Sequence, residues 1–166
     1  EAARAEGIGT CMETALNVRA DQLEPVLPLL DMIFCDLKAL DREEHRRCTG
    51  VSNERILENL RTVVACGVRV VIRVPVVPGY NGTEANLRAT ARFVAEEFGS
   101  RVGLIQLLPF RKLGEAKYAA LGMPYGMRDY SAPPREAWER NLTSAARVMS
   151  EYGLKVVAGA GDGVTA

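Results

Sequence analysis

At 166 residues, 48% of them hydrophobic, the chain is long enough for one domain that buries about 70% of its unfolded surface. Its 21 basic and 21 acidic side chains cancel, so it lacks the basic excess of a nucleic-acid binder. No apolar run approaches the ~20 residues that cross a bilayer, and the N-terminal Glu1 to Glu6 has no apolar stretch to serve as a signal peptide, which together read as a cytoplasmic protein.

Glu1 to Gly7 reads as the tail of a preceding helix, and Ile8 to Glu13 as a short strand. A short helix is expected over 21–30, then an apolar strand from Met32 to Leu37. Ile56, Leu57, Leu60, Val63 and Val64 recur at helical spacing between Asn53 and Cys66, with Ser52 or Asn53 as the N-cap and Gly67 as the stop. Val68 to Val77 is β-branched and nearly continuous, as expected of a strand buried on both faces.

Pro78 to Gly82 is a loop by composition, and Thr83 caps a helix running to about Phe98. Val102 to Phe110 is the next buried strand. A polar, Gly-rich loop over Arg111 to Ala132 separates it from a last helix, which starts at Pro133-Pro134 and ends near Gly153. Leu154 to Ala158 is a terminal strand. Residues 1–158 thus form the domain, and 159–166 a flexible tail.

Strands alternating with helices predict parallel βαβ units. A closed eight-stranded barrel needs about 250 residues, so the expectation is an open parallel half-barrel of four to five strands in sequential order, with helices on its outer face. Its first strand would present an unpaired edge, and the opening on a helix tail predicts a further N-terminal segment.

Glu13-Thr14 ends the first strand, Asp36 and Lys38 end the second, Arg73 lies on the third, and Arg111 follows the fourth. Parallel strands all end on one side of a sheet, so these groups can converge on one crevice. Two carboxylates, one ammonium and two guanidiniums suit a ligand carrying both an amine and a carboxylate. An ordinary ion-pair network at the sheet rim explains the same spacing equally well. Cys11, Cys35, Cys48 and Cys66 are widely scattered; Cys11 and Cys35 read as small buried hydrophobes within strands, and lone His45 is weak evidence for a metal.

Five segments, in order, resemble one family. They are Glu13-Thr14, Asp36-Leu37-Lys38, Gly50 to Leu57, Ile72 to Gly79, and Leu107-Leu108-Pro109-Phe110-Arg111-Lys112-Leu113-Gly114-Glu115-Ala116-Lys117-Tyr118. The order is that of the second half of the activating enzymes of glycyl-radical enzymes, radical S-adenosylmethionine (SAM) proteins like pyruvate formate-lyase activating enzyme, and it covers nearly the whole chain. The resemblance implies the second half of a partial (β/α)6 barrel.

Glu13, Asp36, Lys38, Arg73 and Arg111 would line the SAM pocket. Arg111 stands where the family usually has His beside the adenosine. Glu13, Thr14 and Asp36 would lie by a monovalent cation next to the SAM carboxylate. The partners implied are a glycyl-radical enzyme and a reductant such as flavodoxin or ferredoxin.

The family's Cys-x-x-x-Cys-x-x-Cys motif for a [4Fe–4S] cluster does not occur in the chain. The resemblance therefore places the cluster cysteines upstream of residue 1, and implies that the fragment alone is inactive. Two other readings are a stand-alone α/β domain binding a nucleotide or amino acid, and a barrel lyase or aldolase fragment using Lys38 as a Schiff-base nucleophile.

Overall fold

A computed structural model describes residues 1–159, and its centre is a single sheet whose strand order follows the sequence. The strands are β1 (Cys11–Thr14), β2 (Met32–Asp36), β3 (Arg69–Val76), β4 (Val102–Pro109) and β5 (Val156–Ala158), every neighbouring pair parallel. This is the expected open parallel α/β sheet. Among the described residues β1 and β5 are its edges. The expected tail lies, from residue 160 onward, outside the described residues.

Alternation along the strands divides the sheet into two unlike faces. Ile33, Cys35, Val70, Ile72, Val74, Val76, Ile105 and Leu107 point to one face and join the main core. Helices α4 (Glu54–Ala65), α5 (Glu84–Glu97) and α7 (Arg135–Ser150) cover that face. They pack through Ile56, Leu60, Val63 and Val64, then Leu87, Ala91 and Val94, then Leu142, Ala145, Val148 and Met149. The opposite face carries only a small apolar cluster, Met32, Val71 and Leu104 with Phe34 and Val157. No helix among the described residues is long and apolar enough to cross a membrane.

Several boundaries differ from expectation. The first strand begins at Cys11 rather than Ile8, because Thr10 is tied instead to the Asp31 carboxylate, and Ile8 is exposed. Its lead-in is helix α1 (Ala2–Ala5). The helix expected over 21–30 breaks into α2 (Ala20–Leu23) and a 3-10 turn at Leu27–Leu29, since Pro25 and Pro28 cannot donate helical hydrogen bonds. Helix α3 (Arg42–Thr49) was not apparent from hydrophobic spacing, because its sequence is almost wholly polar. Its signals are the caps: the Asp41 carboxylate accepts from Glu44 N at 2.7 Å, and Gly50 closes it at φ 83°. Helix α6 (Glu115–Ala120) falls within the expected long loop, and α7 starts at Arg135, after both prolines.

The two expected caps divide. Thr83 Oγ1 accepts from Asn86 N at 3.2 Å at the start of α5. Asn53 sits at the α4 N-cap, but its side chain turns away to another task, and Ser52 Oγ accepts from Glu54 N instead.

Candidate functional site

The sparsely covered face holds the charged groups. Asp36 and Arg73 are in register across β2 and β3, and Arg73 with Gln106 across β3 and β4, so three polar side chains form one row. Glu13 is in register with Phe34, two residues before Asp36, and on the same face.

Arg73 is the hub. Its Nη1 lies 3.0 Å from Glu13 Oε1, and its Nε donates to Asp36 Oδ1 at 2.9 Å. The guanidinium carbon sits 5.5 Å from the centre of the Phe34 ring, within cation–π range. Lys38 Nζ reaches Asp36 Oδ2 at 3.4 Å, a looser contact. Burial alone would disfavour charge on Arg73, but the carboxylates of Asp36 and Glu13 outweigh it and hold the guanidinium firmly protonated.

Exposure grades outward: the Arg73 side chain is 16% exposed, Asp36 26%, Lys38 34% and Glu13 66%. A ligand would therefore meet Glu13 and Lys38 first. Two positive and two negative groups leave the cluster neutral, so a zwitterion could exchange partners with it without burying an uncompensated charge.

Four expected site residues thus come together, and two stand apart. Arg111 is exposed at the exit of β4, in a groove with Phe110, Trp138 and Arg135, and has no ion pair to the cluster. Thr14 follows Glu13 and so points to the other face, where its Oγ1 accepts from Leu16 N at 2.9 Å. Glu13 and Asp36 both spend their carboxylates on Arg73. Among the described residues no group of three or more His, Cys, Asp or Glu side chains is placed to hold a metal.

The four cysteines occupy separate places in the fold. Cys11, expected inside, is exposed, because β1 is an edge strand and Cys11 lies on the open face. Cys35 is buried on the helix face, where desolvation pushes its thiol up to about 12 and keeps it protonated. Cys48 lies on α3 and Cys66 is exposed at the end of α4. His45 is buried, its Nδ1 2.8 Å from Val51 O.

Sequence spacing missed the residues that shape the loops around the cluster. Asn59 donates to Leu16 O and Val18 O, both at 2.8 Å, and holds buried Leu16 in a left-handed turn at φ 57°. Asn53, Asn81, Asn86 and Gln106 are likewise buried. The available signal was asparagine inside otherwise apolar helix starts and at a strand exit.

An open parallel sheet with charged groups at the carboxyl ends of its strands has the architecture of a partial α/β barrel. No protein-family model matches the chain. It is 38% identical over 159 residues to the (2S)-3-sulfopropanediol dehydratase activating enzyme of Klebsiella oxytoca, covering 96% of this chain and 50% of that protein. It is 32% identical over 158 residues to pyruvate formate-lyase 1-activating enzyme of Escherichia coli, covering 94% of this chain and 62% of that one.

Among solved structures, a domain of pyruvate-formate lyase-activating enzyme from Bacteroides vulgatus superposes with a TM-score of 0.72 at 26% identity, covering 94% of this chain and 84% of that one. Streptococcus suis SuiB bound to S-adenosylmethionine shares the fold at a TM-score of 0.64 and 13% identity, over 96% of this chain and 33% of that one. The chain belongs to the glycyl-radical-enzyme activating enzymes and represents part of such a protein. It spans about half the length of the first curated relatives it matches.

Proposed function

We propose that the Glu13–Asp36–Lys38–Arg73 cluster is part of the SAM-binding site of a radical SAM activating enzyme. In the whole protein, hydrogen would be taken from a backbone glycine of a glycyl-radical enzyme. The observation that carries the reading is the convergence of four oppositely charged side chains on the open face of the sheet.

SAM brings an α-carboxylate and an α-amine on one carbon. Arg73 and Lys38 supply donors for the carboxylate, and Asp36 and Glu13 supply acceptors for the amine. Arg73 sits within the sheet and would stay fixed, while exposed Glu13 would release its bond and turn to the ligand. Phe34 and Val71 form the apolar floor beside Arg73. Arg111, on a separate loop, would reach the adenosine end only if the 111–132 segment closes over the strand exits.

An iron–sulfur cluster would supply the electron in the whole protein. Its ligands are proposed to come from outside these residues, because the four cysteines here lack the closely spaced Cys-x-x-x-Cys-x-x-Cys pattern. A reductant protein such as flavodoxin or ferredoxin and the glycyl-radical enzyme are the proposed partners. Lys38 lies in an ion pair with Asp36 and a third exposed, so nothing favours the desolvated amine that Schiff-base chemistry needs.

Calorimetric titration of the longer protein with SAM tests the assignment. Asp36→Ala and Arg73→Ala should each weaken binding by about 1.5–3 kcal/mol, as loss of a charged hydrogen bond does. Unchanged affinity in folded variants would leave only a structural ion-pair network.

A further inference from the structure

β2 leaves the sheet after Leu37, whose N–H makes the last sheet-like bond, to Arg73 O at 2.9 Å. The next three carbonyls, of Lys38, Ala39 and Leu40, have no strand partner. All three are taken by side-chain amides. Asn53 Nδ2 donates to Ala39 O at 3.1 Å and Leu40 O at 2.7 Å. Asn81 Nδ2 donates to Lys38 O and Pro75 O, both at 2.6 Å, while its Oδ1 accepts from Val77 N at 2.9 Å. Asn86 Nδ2 donates to Asn81 O at 2.9 Å, and its Oδ1 accepts from Leu40 N at 3.0 Å.

Asn81 makes the short bond that joins the exit of β2 directly to the exit of β3; Asn86 Nδ2 also approaches Lys38 O, but only at 3.5 Å. Asn81 is 4% exposed and its amide is fully used. The turn behind it is closely packed: a Cβ on Gly82 would lie 3.2 Å from the backbone of Val77. A Lys side chain in an open crevice, 3.4 Å from its partner, is poorly held by that contact alone. Its aim depends on where its Cα is fixed.

We propose that Asn81 is a positioning residue, which sets the Lys38 ammonium beside Asp36 and Arg73 by anchoring the Lys38 carbonyl to the β3 exit. The inference rests on the SAM-site reading above, but its first readout does not. In the longer protein, 15N-detected NMR of the Lys38 ammonium should show restricted motion in the wild type and free-lysine averaging in Asn81→Ala. A Lys38 signal still restricted in folded Asn81→Ala overturns the proposal, whatever SAM does.

The second readout is a double-mutant cycle of SAM affinity. Asn81→Ala and Lys38→Met should each weaken binding roughly tenfold, and the double variant no more than either alone. Additive losses would mean that Asn81 acts on the fold generally, and would overturn the role. No effect of Lys38→Met, with Lys38 mobile in Asn81→Ala, would uphold the anchor and sink the SAM reading of Lys38. Where Asn81→Ala fails to fold, Asn81→Ser keeps one hydroxyl donor, and Lys38 mobility between wild type and free lysine is the expected result; wild-type restriction overturns the anchor.

Discussion

Arg73 shows how one side chain organises a site from inside a sheet. Its stem starts on a central strand, between two strands that pair with it on either side, so the guanidinium has a fixed origin. Two carboxylates from two different strands then converge on it. Asn59 does comparable work at the β1 exit, where buried Leu16 adopts a left-handed backbone that costs about 1–2 kcal/mol. Replacing Asn59 by Ala leaves two carbonyls, Leu16 O and Val18 O, without their donor. The expected loss is about 1–3 kcal/mol of folding stability, measured by urea denaturation. A loss below 0.5 kcal/mol would mean that water replaces the amide there.

At the scale of elements, the helix layer is secured by apolar contact and trimmed by ion pairs. Ile72 is fully buried between the sheet and the helices, so Ile72→Ala should cost about 2–5 kcal/mol by transfer and cavity terms. Arg61 of α4 grips Glu97 of α5 by two hydrogen bonds, with the guanidinium 5.4 Å from the centre of the Phe93 ring. The Arg61 hydrogen bonds hold the Glu97 carboxyl below the usual carboxylate range. A lowered folded pKa stabilises above the ordinary carboxylate pKa, and that contribution is lost as pH falls through the lowered value. Glu97→Gln should therefore cost about 0.5–1 kcal/mol near pH 7, and nothing in strong acid or at high salt. Denaturation midpoints at pH 7 and pH 2.5 check the sign.

For the whole molecule, the decisive arrangement is a sheet whose two faces differ. One is closed by three long helices, and the other keeps four charged groups and a small apolar cluster. The cysteines are spread over the fold, Cys11 and Cys35 on opposite faces of the sheet, Cys48 on α3 and Cys66 just past α4. The 166-residue chain, reconstituted anaerobically with iron and sulfide, should stay colourless and leave SAM uncleaved under reductant. A stoichiometric visible absorbance, lost on mutating any one cysteine, would overturn that expectation.

The sequence by itself determined the strand order, the parallel direction and the family. Each rests on local signals: β-branched runs too long to face water, helical apolar spacing between them, and residue strings such as Asp36-Leu37-Lys38 and Leu107 to Tyr118. It also named the four charged residues, because parallel strands must end on one side. Only the tertiary structure decided which of the candidates meet. Alternation sent Thr14 to the opposite face from Glu13, and the 111–132 loop carried Arg111 away, although both sit beside the right strands. The asparagines were illegible for a related reason. A carbonyl's need for a donor appears only once the chain has left the sheet, and its donor comes from residues some 13 to 43 positions away, which no local pattern connects.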